Sequence, residues 1–208
     1  MYLELENVSK VIDGNRVLNE VSYSFDSGKI YGICGKNGCG KTMLMKAVCG
    51  LNSIQSGSIS VGGKKLGSGN EFPESVGALI ENPGFINQYS GLKNLKILAD
   101  IKGNADEERI RDYMKRMGLN PDDKKAYKKY SLGMKQKVGI ICAIMEHPKM
   151  IILDEPTNAL DEDSVKELNK IIMERKEDGA LILVASHDRQ ELEMVADEII
   201  NMRAGEIV

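Results

Sequence analysis

The chain has 208 residues, with 28 Lys and Arg against 31 Asp and Glu and a formal net charge of -3. That length suffices for one domain with a full hydrophobic core, and the mixed charges give no reason to expect nucleic acid as a default partner. No apolar run approaches the roughly 20 residues needed to span a bilayer. The opening MYLELENVSK is acidic and alternating, unlike a secretory leader, so a cytosolic chain is expected.

In chain order, YLELENVSKV and RVLNEVSYSF alternate apolar and polar residues, which predicts half-buried antiparallel strands separated from the next element by Asp26-Ser27-Gly28. KIYGIC is a short β-rich run ending at a glycine loop. TMLMKAVCGL follows with helical spacing and stops at Gly50, and GSISVGGKKL is another short strand. From about Leu92 to His147 three stretches have helical periodicity: LKNLKILADIKG, DEERIRDYMKRMGL and SLGMKQKVGIICAIMEHP, with Asn120-Pro121 breaking the second from the third. MIILDEP and ALILVASH are continuous apolar runs, as strands buried on both faces of a parallel sheet would be. The amphipathic DSVKELNKIIMERKEDG between them makes a strand–helix–strand crossover. The expectation is one α/β domain over 1–208, with an antiparallel β part near the N-terminus and a helical insert over roughly 82–149. The cysteines Cys34, Cys39, Cys49 and Cys142 form no CxxC pair, so neither a metal site nor a disulfide is expected. Three of them read as core packing, whereas Cys39 lies inside the glycine turn.

Two motifs carry chemistry. Gly35-Lys36-Asn37-Gly38-Cys39-Gly40-Lys41-Thr42 is GxxxxGK[ST], placed between a predicted strand and a predicted helix as that motif requires. Its glycines let backbone N–H groups cradle phosphate oxygens, and the helix N-terminus adds its positive dipole end. Lys41 would reach the β- and γ-phosphates, and the Thr42 hydroxyl would ligate Mg²⁺. At the end of MIILDEP, Asp154 would hold the Mg²⁺ through water, and Glu155 would polarise the attacking water as general base. Together the motifs predict a nucleoside triphosphatase.

At this point the chain resembles the ATP-binding cassette ATPases over nearly its whole length. YSLGMKQK at 130–137 is similar to the family signature LSGGQ, DEPTNALD to its second nucleotide motif and D-loop, and ASHD at 185–188 to its switch histidine. The subtype is similar to bacitracin-resistance and lantibiotic-immunity exporters of Gram-positive bacteria, whose cassettes carry SLGMKQ and LIENPGF-like segments. The resemblance implies a RecA-like P-loop core, ATP and Mg²⁺ as ligands, and a head-to-tail cassette dimer that closes on ATP. It also implies membrane permease subunits on separate chains, at the cytoplasmic face of the cell membrane. Ser131 and Gly133 would meet the γ-phosphate held by a partner copy, although a plain helix start with Ser131 as N-cap explains the same residues. His187 would contact the γ-phosphate, and Asp161 the partner's glycine loop.

Some positions depart from the family pattern. Ile12, or Val11, stands where an aromatic would stack on adenine. Glu81 stands at the Q-loop glutamine and could still ligate Mg²⁺, with Gln88 as the other candidate. Met134 replaces the glutamine of the signature. Cys39 is either a thiolate stabilised by Lys41 and the helix dipole or an inert small residue. Four lysines in DDKKAYKKYS read as a solvated face or as a source of positive potential near bound phosphates. Phe85 and Tyr89 in NPGFINQYSGLKNL read as inter-lobe packing or as a permease contact. The leading function is the ATPase subunit of an exporter of antimicrobial peptide or drug. The alternatives are a soluble cassette ATPase acting on nucleic acid or ribosomes, and a P-loop kinase of small molecules.

Overall fold

A computed structural model describes residues 1–67, 69, 71–81 and 84–208. The alternating N-terminal stretches form β1 (Leu3–Ile12) and β2 (Asn15–Phe25), paired antiparallel with Leu3 opposite Phe25. Their two-residue turn, Asp13-Gly14, has φ of 48° and 79°, the left-handed pair that a tight hairpin needs. Next come β3 (Ile30–Cys34), α1 (Lys41–Val48), β4 (Ser56–Val61), β5 (Lys64–Lys65) and β6 (Val76–Leu79). Helices α2 (Gly91–Lys102), α3 (Glu107–Arg116) and α4 (Leu132–Ile144) follow, with a 3₁₀ turn at Tyr127–Lys129 before α4. The chain continues through β7 (Met150–Asp154), α5 (Glu162–Glu177), β8 (Leu181–Ser186), α6 (Arg189–Glu193), β9 (Glu198–Arg203) and β10 (Glu206–Ile207).

Two sheets result. One is antiparallel in the order β2-β1-β4-β5, and the other has the order β10-β9-β3-β8-β7-β6. In the second, β9, β3, β8, β7 and β6 run parallel and only β10 is antiparallel. The continuous apolar runs expected to be buried on both faces become β7 and β8. Alternate residues of these strands feed opposite cores. Ile151, Leu153, Ile182 and Val184 pack with the helices α4 and α5, while Ile152, Leu181 and Leu183 pack with α1 and the antiparallel sheet. The chain is thus a mixed α/β fold of the P-loop kind, as expected.

Helices α2 to α4 lie between β6 and β7 in the sequence; Asn82 and Pro83, where the helical insert was expected to begin, lie outside the described residues. Two of the ties between the insert and the sheet layer come from α3 and α4. Arg116 of α3 forms a bidentate pair with Glu174 of α5 (2.7 and 2.8 Å) and a further bond to Glu167 (2.7 Å). Helix α4 packs directly against β6, where a methyl on Gly77 would lie 1.7 Å from the Ala143 carbonyl oxygen. Four elements have no counterpart in the sequence-based expectation: β6, α6, β9 and β10.

The close approach at Gly77 gives a test. Because the obstructing atoms are backbone, Gly77→Ala is expected to destabilise the fold by about 1–3 kcal/mol, the usual cost of overpacking. Urea unfolding measures it, and an unchanged midpoint would contradict this account of how α4 is seated.

Candidate functional site

The glycine loop joins β3 to α1, and its sequence is dictated by space. A Cβ at Gly35 would lie 2.4 Å from the Met202 carbonyl oxygen, and one at Gly40 would lie 2.7 Å from that of Val17. Gly40 also has φ of 112°, in the region that glycine tolerates. Helices α2, α3, α4 and α5 begin on side-chain caps from Ser90, Asp106, Ser131 and Asp161. Helix α1 begins on Gly40 with no side-chain cap and no acidic residue in its first turn. Its leading N–H groups therefore lack a side-chain acceptor, and the dipole end stands ready for an anion. Lys36, Asn37 and Gly38 are exposed at the rim. Cys39 is 9% exposed, with its sulfur against Gly35, so it packs into the core as the other cysteines do.

Two carboxylates at the end of β7 meet two consecutive residues at the start of α1. Thr42 donates its hydroxyl to Asp154 Oδ2 at 2.6 Å. Lys41, only 5% exposed, donates to the Gly35 carbonyl at 2.6 Å and lies 3.5 Å from Glu155 Oε1. His187, just beyond β8, places Nδ1 2.8 Å from Glu155 Oε2. Glu155 thus bridges the loop lysine and the histidine. Its backbone has φ of 48°, a left-handed conformation unusual for a non-glycine residue. That turn is fixed by a bond from the Glu155 N–H to the Ala185 carbonyl (2.9 Å).

The donor set fits Mg²⁺. Asp154 Oδ1 is buried with no hydrogen-bond partner, beside a hydroxyl and a carboxylate oxygen of the hard kind that this ion prefers. Among the described residues no group of three or more His, Cys, Asp or Glu forms a protein-only metal cage. An ion completed by phosphate oxygens and water needs only one or two protein ligands. Burial, followed by the nearby charge of Glu155, raises the Asp154 carboxyl above its ordinary value, against the opposing bond from Thr42.

The remaining expected site residues are placed as follows. Glu81, mostly exposed, is held by Lys46 at 2.6 Å, and its charge is among those felt by Asp154. Ile12 ends β1 at 37% exposed, opposite Asn15. Ser131 caps α4 by accepting the Met134 N–H at 3.2 Å, the plain reading of that residue. Gly133 lies under the D-loop, where a Cβ would come 2.5 Å from the Ala159 carbonyl oxygen. Asp161 caps α5 through the Ser164 N–H (2.9 Å) and hydroxyl (2.7 Å) and pairs with Lys137 at 3.1 Å. Those contacts hold its carboxyl far below the usual range. Among the described residues no hydrogen bond or ion pair joins Ser131, Gly133 or Asp161 to the chain's own glycine loop. The structure also adds two residues. Val17 of β2 lines the cleft with Lys41, Thr42, Asp154 and Glu155, and Gln136 of α4 donates to the carbonyls of Glu155 (3.2 Å) and Pro156 (3.1 Å). Val17 sits in an alternating strand and carries no chemical signal. Gln136 lies within the signature-like segment, two residues after Met134, which is the only hint in the sequence.

A glycine loop before an uncapped helix, facing strand-end carboxylates on a parallel sheet, defines a P-loop nucleoside triphosphatase, here with helices inserted between β6 and β7. Residues 18–158 match the ABC transporter family model. The chain is 41% identical to the uncharacterized ABC transporter ATP-binding protein YybJ of Bacillus subtilis, over 99% of this chain and 94% of that protein. It is 36% identical to the bacitracin transport ATP-binding protein BcrA of Enterococcus faecalis (99% and 68% covered) and to the lantibiotic transport ATP-binding protein SrtF of Streptococcus pyogenes (99% and 89%). A solved ATP-binding subunit of an ABC transporter superposes with a TM-score of 0.91 at 27% identity, covering 100% of this chain and 88% of that one. The dimeric cassette MJ0796 has the same fold, with a TM-score of 0.88 at 21% identity, covering 99% and 96%. The chain belongs to the ABC transporter family, as its ATP-binding, ATP-hydrolysing subunit.

The raised Asp154 carboxyl has a consequence for stability. A carboxyl whose folded value exceeds its unfolded one stabilises the fold fully only below the unfolded value of 3.8, and that contribution is lost as pH rises through the folded value. At neutral pH the ionised Asp154 therefore burdens the fold. Asp154→Asn is expected to raise Tm at pH 7, with the gain shrinking as pH falls through the raised folded value and gone below 3.8. Thermal melts across that range measure it, and a lower Tm at pH 7 would contradict the assignment.

Proposed function

We propose that this chain powers a membrane exporter of an antimicrobial peptide or drug, docked at the cytoplasmic face on permease subunits that are separate polypeptides. Similarity to bacitracin and lantibiotic transport subunits supports the cargo class. That these relatives are named as ATP-binding proteins of transport systems supports separate permease chains; no helix among the described residues is long and apolar enough to cross a membrane.

The observation that carries the catalytic reading is the convergence of Lys41, Thr42, Asp154, Glu155 and His187 at the C-terminal ends of adjacent parallel strands. The N–H groups of Gly35 to Gly40 cradle the phosphates, and Lys41 reaches the β- and γ-phosphates. The apolar side chains of Ile12 and Val17 offer the base contact without stacking. Thr42 would ligate Mg²⁺ and Asp154 would hold it through water, with Glu81, here paired with Lys46, as a further candidate ligand. The ion, when bound, neutralises charge on the β- and γ-phosphate oxygens. Glu155 takes the proton of the attacking water as general base, and His187, held by Glu155, orients toward the γ-phosphate. Ser131 and Gly133 of a second copy complete the site head to tail, with Asp161 at that junction. An arriving γ-phosphate offers Lys41 a stronger partner than Glu155, which frees the carboxylate for water.

Glu155→Gln is the test. Phosphate release is expected to fall by about 10²–10⁴-fold, while size-exclusion chromatography with Mg·ATP shows a shift from monomer to dimer. A variant that stays monomeric and still hydrolyses ATP at the wild-type rate would place the base elsewhere.

A further inference from the structure

Glu191 lies on α6, outside every motif named above, yet one of its oxygens touches both segments that carry the reacting side chains. Oε2 accepts the Thr157 hydroxyl at 2.8 Å and the Ser186 hydroxyl at 3.0 Å. Thr157 is two residues after Glu155, and Ser186 is the residue before His187. Ser186 is 1% exposed, so its hydroxyl finds its partners within the protein.

The bond is not ordinary helix capping. Asp188 is the N-cap of α6, which places Glu191 three residues into the helix, where an acidic side chain commonly reaches back to the cap N–H. Here the Asp188 N–H is taken by Ser186 Oγ at 3.0 Å. That leaves the Glu191 carboxylate to bridge the two segments.

We propose that Glu191 is a positioning residue for ATP hydrolysis. By holding Thr157 and Ser186 on one carboxylate oxygen, it fixes the separation at which Glu155 and His187 meet, and it links the D-loop to the switch histidine. The Glu155 N–H bond to Ala185 and the Gln136 bonds to Glu155 and Pro156 restrain the same turn through its backbone. Glu191 joins the two segments from outside them, beside the direct contact of His187 with Glu155. The inference rests on the proposed roles of Glu155 and His187.

The test is steady-state ATP hydrolysis by Glu191→Ala, Glu191→Gln, Thr157→Val and the Thr157→Val/Glu191→Ala double variant, beside Glu155→Gln. Loss of an outer partner that orients reacting groups typically costs 10–100-fold. Accordingly kcat of Glu191→Ala is expected to fall by about 10–100-fold, with KM for ATP within about threefold. Glu191→Gln keeps an acceptor oxygen and should recover most of the loss. The double variant should be no slower than Glu191→Ala, because both changes remove the same link. The proposal is overturned by wild-type kcat in Glu191→Ala, by a Gln variant no better than Ala, or by additive losses in the double variant. If Glu191→Ala does not fold, Thr157→Val decides: reduced kcat at unchanged KM supports the link, and unchanged kcat refutes it. Wild-type turnover in Glu155→Gln would instead overturn the underlying role of Glu155, a result that Glu191 variants alone cannot produce.

Discussion

The structure depends on how it accommodates one buried cation. Lys41 is almost fully enclosed, and an ammonium in that position is costly unless its donors are used. The fold supplies the Gly35 carbonyl from the loop and Glu155 from the end of β7. Its neighbour Thr42 meets the neighbouring carboxylate, Asp154. Two consecutive residues on a helix are therefore matched to two consecutive residues at a strand end. This double pairing locks the loop to the sheet. It leaves one oxygen of Asp154 buried without a partner, and that deficit points to a divalent cation.

Topology makes the matching possible. With β3, β8 and β7 adjacent and parallel, everything that follows a strand emerges on the same edge. The glycine loop follows β3, Glu155 follows β7 and His187 follows β8. A crossover through α5 carries the chain from β7 to the adjacent, parallel β8. The bond from the Glu155 N–H to the Ala185 carbonyl extends the β7–β8 pairing past the strand end. The site is built on rigid neighbours, and the left-handed backbone at Glu155 is restrained from β8 and from α4.

What could be read from the sequence follows from where the information is local. The glycine loop, the strand-end Asp154-Glu155 and the doubly buried strands β7 and β8 declare themselves through composition and spacing, and the structure has them where expected. The four missed elements lack such signals. VGAL of β6 is four residues with an internal glycine, β10 is two residues, and α6 is a single short turn. EIINMR of β9 has alternate burial, but its identity as a parallel strand comes only from pairing with β3. The same applies within the site. Gln136 reaches Glu155 across 19 residues of sequence, Val17 shares a cleft with the distant Asp154 and Glu155, and Glu191 reaches Thr157 across 34. Periodicity and motif spacing carry no record of such contacts.

Asp161 and Ser131 show why a residue's identity does not by itself fix its role. Each is the N-cap of a helix, and each has its oxygens committed within its own chain. Asp161 is bound to Ser164 and also to Lys137, six residues beyond the Ser131 cap on α4. The D-loop and the signature helix are thus joined by an ion pair on one side and by the close approach of Gly133 to Ala159 on the other. Arg116 adds a third tie, from α3 to α5. In the proposed head-to-tail arrangement, a second copy that engages the start of α4 would pull on the D-loop as well. Through the proposed link of Thr157 and Glu191 that strain would reach the segment that carries His187. Completing the site from outside and aligning the proposed base and histidine inside would then be parts of one mechanical event.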